Sequence, residues 1–428
     1  MLGIRLPRIS CYKVIFTAVF VFNWAAFAAL VQRVQLDRSH ALLGVAVNIL
    51  LTILARQEEI VTFWFWLCTR APLNTPLVIR SHLANVYHYG GVHSGSAVSA
   101  TSWYILYIAF STELCLKKGF TRFEHVAIIL GYLFLLFLLF IIVTALPRPR
   151  RYFHNVFERT HRFAGWASLA VLWVHAPIDT IAAHERGTEI NILQSLKANP
   201  CIWILSVTTF FVALPWLRIR RVPVVAHKLS NHALKLTFPY NHMPYCRVQR
   251  FSTSALLEWH SFATIPSPTS REQASIVISA AGDWTRAMIA NPPTHIWLRK
   301  PPTPNFFYCS RLFKSILLVA TGTGIGPCLS LLATKDRPPI CVIWSARAPE
   351  QTYGKSIVKA VKMGDPYANI RDSAIHGRAN LVEEVLTKLE IVPCEAVFVV
   401  SNKGVTDSLT RELKDRGLTS VYGAIFDS

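Results

Sequence analysis

Ser315-Ile316-Leu317-Leu318-Val319-Ala320-Thr321-Gly322-Thr323-Gly324-Ile325-Gly326-Pro327-Cys328-Leu329-Ser330-Leu331-Leu332-Ala333 changes character twice along its length. Ser315–Ala320 reads as a short strand buried in a parallel sheet. Cys328–Ala333 reads as a helix. Between them lies a turn with glycines at 322, 324 and 326, closed by Pro327. Glycines at such a junction let the backbone approach a pyrophosphate, and the helix N-terminus adds amides and a favourable dipole. The same turn also serves plain helix–strand packing. What favours the nucleotide reading is its place after a strand and at the start of a helix. Further strands are expected at Ile340–Trp344 and Ala396–Val400, alternating with helices near Ser356–Met363, Leu381–Glu390 and Asp407–Arg416. That alternation predicts a doubly wound α/β nucleotide-binding domain over 310–428.

Upstream, over 222–309, short alternating runs such as Val224–Leu229 and Leu234–Phe238 are separated by turn residues. They predict a small antiparallel β-barrel. Within it, Gly282 permits close backbone approach and Thr285 offers a hydroxyl to a phosphate. The plainer reading of that segment is an N-capped helix after a strand. Arg347 follows the second α/β strand, where a basic residue favours a 2′-phosphate and hence NADPH over NADH.

Trp259-His260-Ser261-Phe262-Ala263-Thr264-Ile265-Pro266 resembles the flavin segment of the ferric reductases, and Gly282-Asp283-Trp284-Thr285 resembles their pyrophosphate stretch. Gly322-Thr323-Gly324-Ile325-Gly326-Pro327 is similar to the glycine motif of the ferredoxin–NADP reductase superfamily. Together with Ser401–Thr406 and the Phe426-Asp427-Ser428 tail, these segments resemble the fungal TmpA-type membrane flavoproteins. Those are a divergent branch of the ferric reductase and NADPH oxidase superfamily. The resemblance implies that His260 contacts the phosphate side of FAD, that Phe262 packs on the flavin, and that a hydroxyl lies near N5. Ala263 stands where the family has Thr. That leaves Thr264, which projects from the opposite side of a strand. Ser401 replaces the family's Cys near the nicotinamide, and Phe426 is the expected aromatic cover of the flavin.

The first half is far more apolar than the second, and the whole chain is 52% hydrophobic. A bilayer core of about 30 Å needs roughly 20 apolar residues in a helix. Six spans are expected, near 14–31, 40–55 (with an extension to 68), 89–110, 124–146, 162–181 and 201–217. The first, preceded by Lys13 and containing Ala25-Ala26-Phe27-Ala28, also fits a signal peptide. Residues 1–221 therefore read as a membrane α-helical bundle of about six helices.

The net charge of +20 includes clusters at Arg148–Arg151 and Arg218–Arg221 beside apolar runs. This fits membrane orientation better than nucleic-acid binding, and no nucleic acid is expected. The orientation places both termini in the cytosol of a multi-pass protein of the plasma membrane or endoplasmic reticulum. Nine cysteines without a CxxC pair argue against a disulfide framework or a structural zinc site.

His161 and His175 lie fourteen residues apart and so share one helix face, about 21 Å apart along the axis. That face resembles the two-haem helix of the ferric reductase superfamily. His88 is the expected partner of His161 for an inner haem b. Thr101 and Ser102 stand where a partner of His175 belongs, so the outer site is incomplete. His93 is a weaker alternative, about 140° around the helix from His88. The plainer reading is a set of hydrogen-bonded histidines with no haem.

The functional expectation is a membrane-bound flavin oxidoreductase. It would pass electrons from cytosolic NAD(P)H through FAD to an unknown acceptor such as a metal ion, quinone, oxygen or small metabolite. A non-catalytic redox-sensing or signalling flavoprotein is the alternative. A transporter or channel would leave the glycine turn without a role.

Overall fold

The computed structural model describes residues 10–33, 37–187 and 191–425. The chain separates into two compact units: Met1–Gln57 with His88–Leu214, and Glu58–Tyr87 with Pro215–Ser428. These limits differ from the expected division at 1–221, 222–309 and 310–428. Residues 58–87 leave the helical part and join the C-terminal unit.

The first unit is helical. Its long helices are Cys11–Arg33, Arg38–Leu54, Gly90–Lys118, Arg122–Ala145, His154–Glu185 and Pro200–Leu217. Among the described residues, four helices are long and apolar enough to cross a membrane, or five if a bent pair counts as one span. The expectation of about six such helices is corrected on two counts.

The expected extension of the second span to 68 is a separate helix, Glu58–Cys68, so the two count at most as one broken span. Arg38–Leu54 and Glu58–Cys68 meet at 72°. The second count is Gly90–Lys118, which is not among the four. It is instead the enclosed helix of the unit, burying Gly91, Gly95, Ser96, Ser99 and Tyr104. Small residues explain this position. A Cβ on Gly91 would sit 2.6 Å from the Tyr12 carbonyl oxygen, so only glycine allows so close a helix approach. Trp103, Tyr104, Tyr107 and Phe134 fill the core beside Ala41 and Val45. Exposed apolar side chains lie elsewhere: Phe22 is 74% exposed, Ile129 68% and Leu136 62%.

The second unit holds two sheets. The strands of the first are β1 (Ile219–Pro223), β2 (Val225–Lys228), β3 (Ala233–Pro239), β4 (Arg247–Ser252), β5 (His260–Pro266), β6 (Gln273–Ser279) and β7 (His295–Pro304). They form an antiparallel sheet in the order β1-β7-β4-β5-β6-β3-β2. It opens at Ile219, ahead of the expected 222, and leaves β1 and β2 as edges rather than closing. Alternation along β3 buries Leu234, Leu236 and Phe238 against Phe251, Ile276 and Leu298.

The helix Glu58–Cys68 packs on β7 for an electrostatic reason. Arg250 of β4 and Arg299 of β7 are direct cross-strand neighbours, a repulsive pairing of like charges. Glu58 Oε1 accepts from Arg299 Nε at 3.0 Å and Nη2 at 2.7 Å, and from Arg250 Nη1 at 3.3 Å.

The second sheet contains β8 (Ile316–Thr321), β9 (Ile340–Ala346), β10 (Asn369–Asp372), β11 (Ala396–Ser401) and β12 (Val421–Ile425). All its pairs are parallel, in the order β10-β9-β8-β11-β12. β8 and β11 are buried along nearly their whole length, which explains their unbroken apolar sequences.

Candidate functional site

Strand order locates the site before any side chain is considered. The chain runs from β8 outward through β9 to β10, then returns to place β11 on the other side of β8. The direction of winding therefore reverses between β8 and β11. In open parallel sheets, ligands bind in the crevice beyond the carboxyl ends of the strands at that reversal. The glycine turn leaves β8 there, and Ser401 ends β11 there.

Each glycine has a distinct constraint. Gly322 has φ +51°, a conformation that favours glycine, and its carbonyl accepts a 3.0 Å hydrogen bond from the Trp344 indole. A Cβ on Gly324 would stand 2.2 Å from the Val400 carbonyl oxygen, so this residue sets the close approach of the turn to β11. Gly326 is different. A Cβ there would meet only Val277, at 4.0 Å. Thr323, Ile325 and Pro327 complete the turn and the first residues of the helix Ile325–Leu332, with Ile325 buried beneath it. The Thr321 and Ser401 hydroxyls hydrogen-bond across the crevice floor. Ser401 is thus tied to the switch point.

Arg347 lies exposed just beyond β9. Its neighbour Ala348 is held at φ +43°, and its amide donates to Asp372 Oδ1 at 2.9 Å. Backbone donation from Ala348 and Ala374 holds the Asp372 carboxyl below its ordinary range. Trp344 and Tyr353 belong to this site but were not singled out from sequence. Their rings lie 5.5 Å apart, and the Tyr353 hydroxyl is 3.5 Å from where a Gly322 Cβ would be. Burial pushes the Tyr353 phenol up to about 12, so it stays neutral. The only sequence signal was an aromatic at the end of β9, which reads equally as core.

On the antiparallel sheet the expected flavin residues divide. His260 and Phe262 both lie near-parallel to Trp284, with centroids at 4.3 and 5.9 Å. The indole N–H groups of Trp259 and Trp284 are buried without an acceptor among the described residues. An aromatic face edged by unmet donors fits a flat, acceptor-rich group such as a flavin.

Two hydroxyls fit less well. Thr264 is fully buried and donates to the Arg247 carbonyl at 3.3 Å, while Ala263 beside it is also buried. Thr264 therefore does not supply the hydroxyl near flavin N5. Thr285 Oγ1 accepts from the Ala281 and Gly282 amides at 3.0 and 2.9 Å and donates to the Gly282 carbonyl at 3.0 Å. Its bonding capacity is spent inside the turn. The N-capped reading of Gly282 and Thr285 replaces the phosphate-contact reading. Phe426 lies outside the described residues.

Of the expected haem pair, His161 lies on the helix His154–Glu185 and His88 on a short turn ahead of the helix Gly90–Lys118. The rings of Phe157 and His93 lie beside that of His161, with centroids at 5.4 and 6.0 Å, and His93 Nδ1 bonds to the Thr52 carbonyl at 2.9 Å. A 3₁₀ turn, Ala84–His88, ends at His88, so that residue precedes the long helix instead of lying on it. His175 packs on Tyr107, at 5.9 Å. Among the described residues, no group of three or more His, Cys, Asp or Glu side chains is placed to hold a metal ion.

Comparison with known proteins corrects the expected relationship. The family described as "Adenylate-forming reductase 03009, C-terminal domain" matches residues 306–428. Adenylate-forming reductase 03009 of Coprinopsis cinerea is 37% identical over 426 residues, covering 100% of this chain and 41% of that protein. Adenylate-forming reductase 06235 of the same fungus is 36% identical over 428 residues, again covering 100% of this chain and 41% of its own length. The chain thus spans about two fifths of the length of the curated relatives it matches.

These matches overturn the likeness to TmpA-type flavoproteins and the ferric reductase superfamily. They also overturn the function drawn from it, a membrane flavoprotein passing electrons to an unknown acceptor or sensing redox state. Among solved structures, the chain is similar to phthalate dioxygenase reductase (TM-score 0.39, 13% identity, 48% of this chain and 68% of that one). It is also similar to the flavohemoglobin of Malassezia yamatoensis (TM-score 0.43, 12% identity, 90% and 98%).

Proposed function

We propose that this chain carries the reductive step of an adenylate-forming reductase. In this reading it binds NAD(P)H at the β8/β11 crevice and reduces a carboxyl-derived group that has been activated as its adenylate. The observation that carries it is the glycine turn standing at the winding reversal, with Ser401 across from it. The 37% identity to an adenylate-forming reductase, of which this chain spans 41%, supports that reading of the reaction class.

The residues have separable tasks. Gly322, Gly324 and Gly326 shape the backbone for a pyrophosphate, and the helix Ile325–Leu332 offers its N-terminal amides. Arg347 would meet the 2′-phosphate, which favours NADPH. Ser401, tied to Thr321, borders the nicotinamide end and can orient it through its hydroxyl. Nicotinamide supplies a hydride when bound, and the protein sets its position. His260, Phe262 and Trp284 form the face on which FAD would lie, with the Trp259 and Trp284 indoles as donors to its heteroatoms.

The four long apolar helices support a bilayer anchor, with the exposed side chains of Arg122–Ala145 facing lipid. A multi-pass placement in the plasma membrane or endoplasmic reticulum, with both termini cytosolic, belongs to the same proposal. Its basis is the arginine-rich stretches Arg148–Arg151 and Arg218–Arg221.

The test is to supply the purified chain with NADPH and a synthetic acyl-adenylate, following NADPH oxidation and aldehyde or alcohol formation together. Stoichiometric product formation supports the assignment. Intact NADPH binding with no acyl reduction would reject it.

A further inference from the structure

Three cationic side chains of the C-terminal unit rest on tyrosine rings instead of carboxylates. Arg247 opens β4, Lys300 lies in β7, and Arg311 belongs to the 3₁₀ segment Phe306–Leu312. Arg247 Cζ stands 5.0 Å from the centre of the Tyr308 ring, and Arg311 Cζ stands 4.6 Å from it. Lys300 Nζ stands 4.8 Å from the centre of the Tyr240 ring. Tyr240 also lies within electrostatic reach of Arg247, which joins the five side chains into one group.

Other cations of this unit are answered by carboxylates. Arg250 and Arg299 meet Glu58, Arg286 meets Asp283, and Arg371 meets Glu384. Among the described residues, the side chains of Arg247, Lys300 and Arg311 form no ion pair and donate no hydrogen bond. A ring face attracts a cation through its quadrupole but carries no charge to cancel it. The group therefore keeps its positive charge. Lys300 and Arg311 are exposed, so water serves them. Arg247 is half-buried, and its Nε is enclosed without an acceptor among the described residues. Its Nη1 and Nη2 are unbonded but not enclosed, so the end-on fork of the guanidinium opens outward. Burial, with the like charge of Arg311 added, holds the Arg247 pKa below its ordinary value. The guanidinium nonetheless stays charged. Side chains retained for packing alone do not carry a charge whose desolvation goes uncompensated. An under-solvated guanidinium with an open fork complements an oxyanion, which it can hold through two parallel hydrogen bonds.

We propose that Arg247 and Arg311, with Lys300 beside them, bind the phosphate dianion of a phosphomonoester. Nη1 and Nη2 of Arg247 donate to two phosphate oxygens, and Arg311 and Lys300 supply the remaining charge. A group of three cations matches a dianion better than a carboxylate or a phosphodiester, which carry one negative charge each. The site shares no residue with the nucleotide crevice and does not depend on it.

The test uses the full chain in phosphatidylcholine nanodiscs, with saturating NADPH and FAD present and empty discs subtracted. Methyl phosphate, dimethyl phosphate and acetate are titrated calorimetrically, above the second phosphate pKa of about 6. Saturable binding of methyl phosphate is expected, at least about tenfold tighter than either monoanion. Arg247→Met keeps an apolar stem on Tyr308 and removes the half-buried charge. It should weaken methyl phosphate about tenfold or more, while the ligand-free variant melts no lower than the parent. Should Arg247→Met fail to fold, Arg247→Lys keeps the charge but loses the fork, and a loss of about threefold or more is expected. Arg311→Ala should weaken binding about threefold with an unchanged melting temperature, since the side chain is exposed. Discs containing phosphatidic acid, itself a phosphomonoester, separate two sources of the ligand. Loss of methyl phosphate binding in those discs assigns the site to a lipid headgroup, and retained binding assigns it to a soluble phosphomonoester. Absence of saturable methyl phosphate binding with NADPH and FAD bound overturns the proposal. So does equal affinity for acetate or dimethyl phosphate, or unchanged binding in the Arg247 variants.

Discussion

Alanine at Gly326 and at Gly324 separates a ligand effect from a packing effect within one turn. At Gly326 a methyl meets no protein atom closer than 4.0 Å. The residue lies in the helix Ile325–Leu332, where alanine is favoured over glycine by up to about 1 kcal/mol. Gly326→Ala should therefore fold at least as well as the parent. If the nucleotide pyrophosphate packs against this backbone, the same methyl displaces it. A tenfold loss of NADPH affinity corresponds to about 1.4 kcal/mol, and a loss of that size or greater is expected.

Gly324→Ala behaves oppositely. Its methyl would sit 2.2 Å from the Val400 carbonyl oxygen, so the turn must retreat from β11 by about 1 Å, and such overpacking costs about 1–3 kcal/mol. Stability and affinity should fall together. Calorimetric titration with NADPH, paired with thermal melts of both variants, makes the comparison. A Gly326→Ala protein that binds NADPH as tightly as the parent would show that phosphate does not approach this turn, and the crevice assignment would fail.

Three further outcomes follow from named contacts. Glu58→Gln leaves Arg250 and Arg299 facing each other across β4 and β7 with no buried carboxylate; the C-terminal unit should lose about 3–5 kcal/mol, read by chemical denaturation. Glu395 accepts from Arg80 at 2.7 Å, and this contact holds its carboxyl below the ordinary value. That contribution is present above the unfolded-state pKa of about 4.3 and disappears as pH falls through the lower folded value, so the stability gap between the parent and Glu395→Gln should close over that acid range. Arg347→Glu should reverse the coenzyme preference, raising the NADPH dissociation constant about tenfold or more while sparing NADH; an unchanged ratio would remove Arg347 from the site.

The parallel sheet was legible because burial on both faces forces unbroken apolar strands, and β8 and β11 obey that rule. The glycine turn was legible because its position between strand and helix is itself sequential information. The helical unit was less so. Gly90–Lys118 has a span's length, but hydropathy does not reveal that its glycines and serines suit it to close packing inside a bundle. Glu58–Cys68 looked like an extension of the preceding span because its aromatics are apolar. Its actual place is fixed by Glu58 answering two arginines more than 190 residues away, a pairing with no local signature. His88 shows the same limit: the spacing from it to Thr101 and Ser102 was counted along one helix, yet it ends a 3₁₀ turn outside the long helix.

The aromatic face on the antiparallel sheet rests on a different balance, and one substitution exposes it. A buried N–H without an acceptor costs about 1–3 kcal/mol, and Trp259 and Trp284 each carry one. A core built only for stability would have phenylalanine at these positions. Trp284→Phe keeps a ring against His260 and Phe262 and removes one unmet donor. If the donor exists for a flavin, the ligand-free variant should be more stable than the parent, while its FAD affinity falls about fivefold or more, the worth of one hydrogen bond. Equilibrium dialysis with FAD and denaturant melts measure both quantities on the same preparation. Thr285 cannot compensate, because its hydroxyl already bonds three backbone groups. A variant that gains stability and binds FAD unchanged would reduce the Trp284 indole to a packing residue, and with it the argument that this face is shaped for flavin.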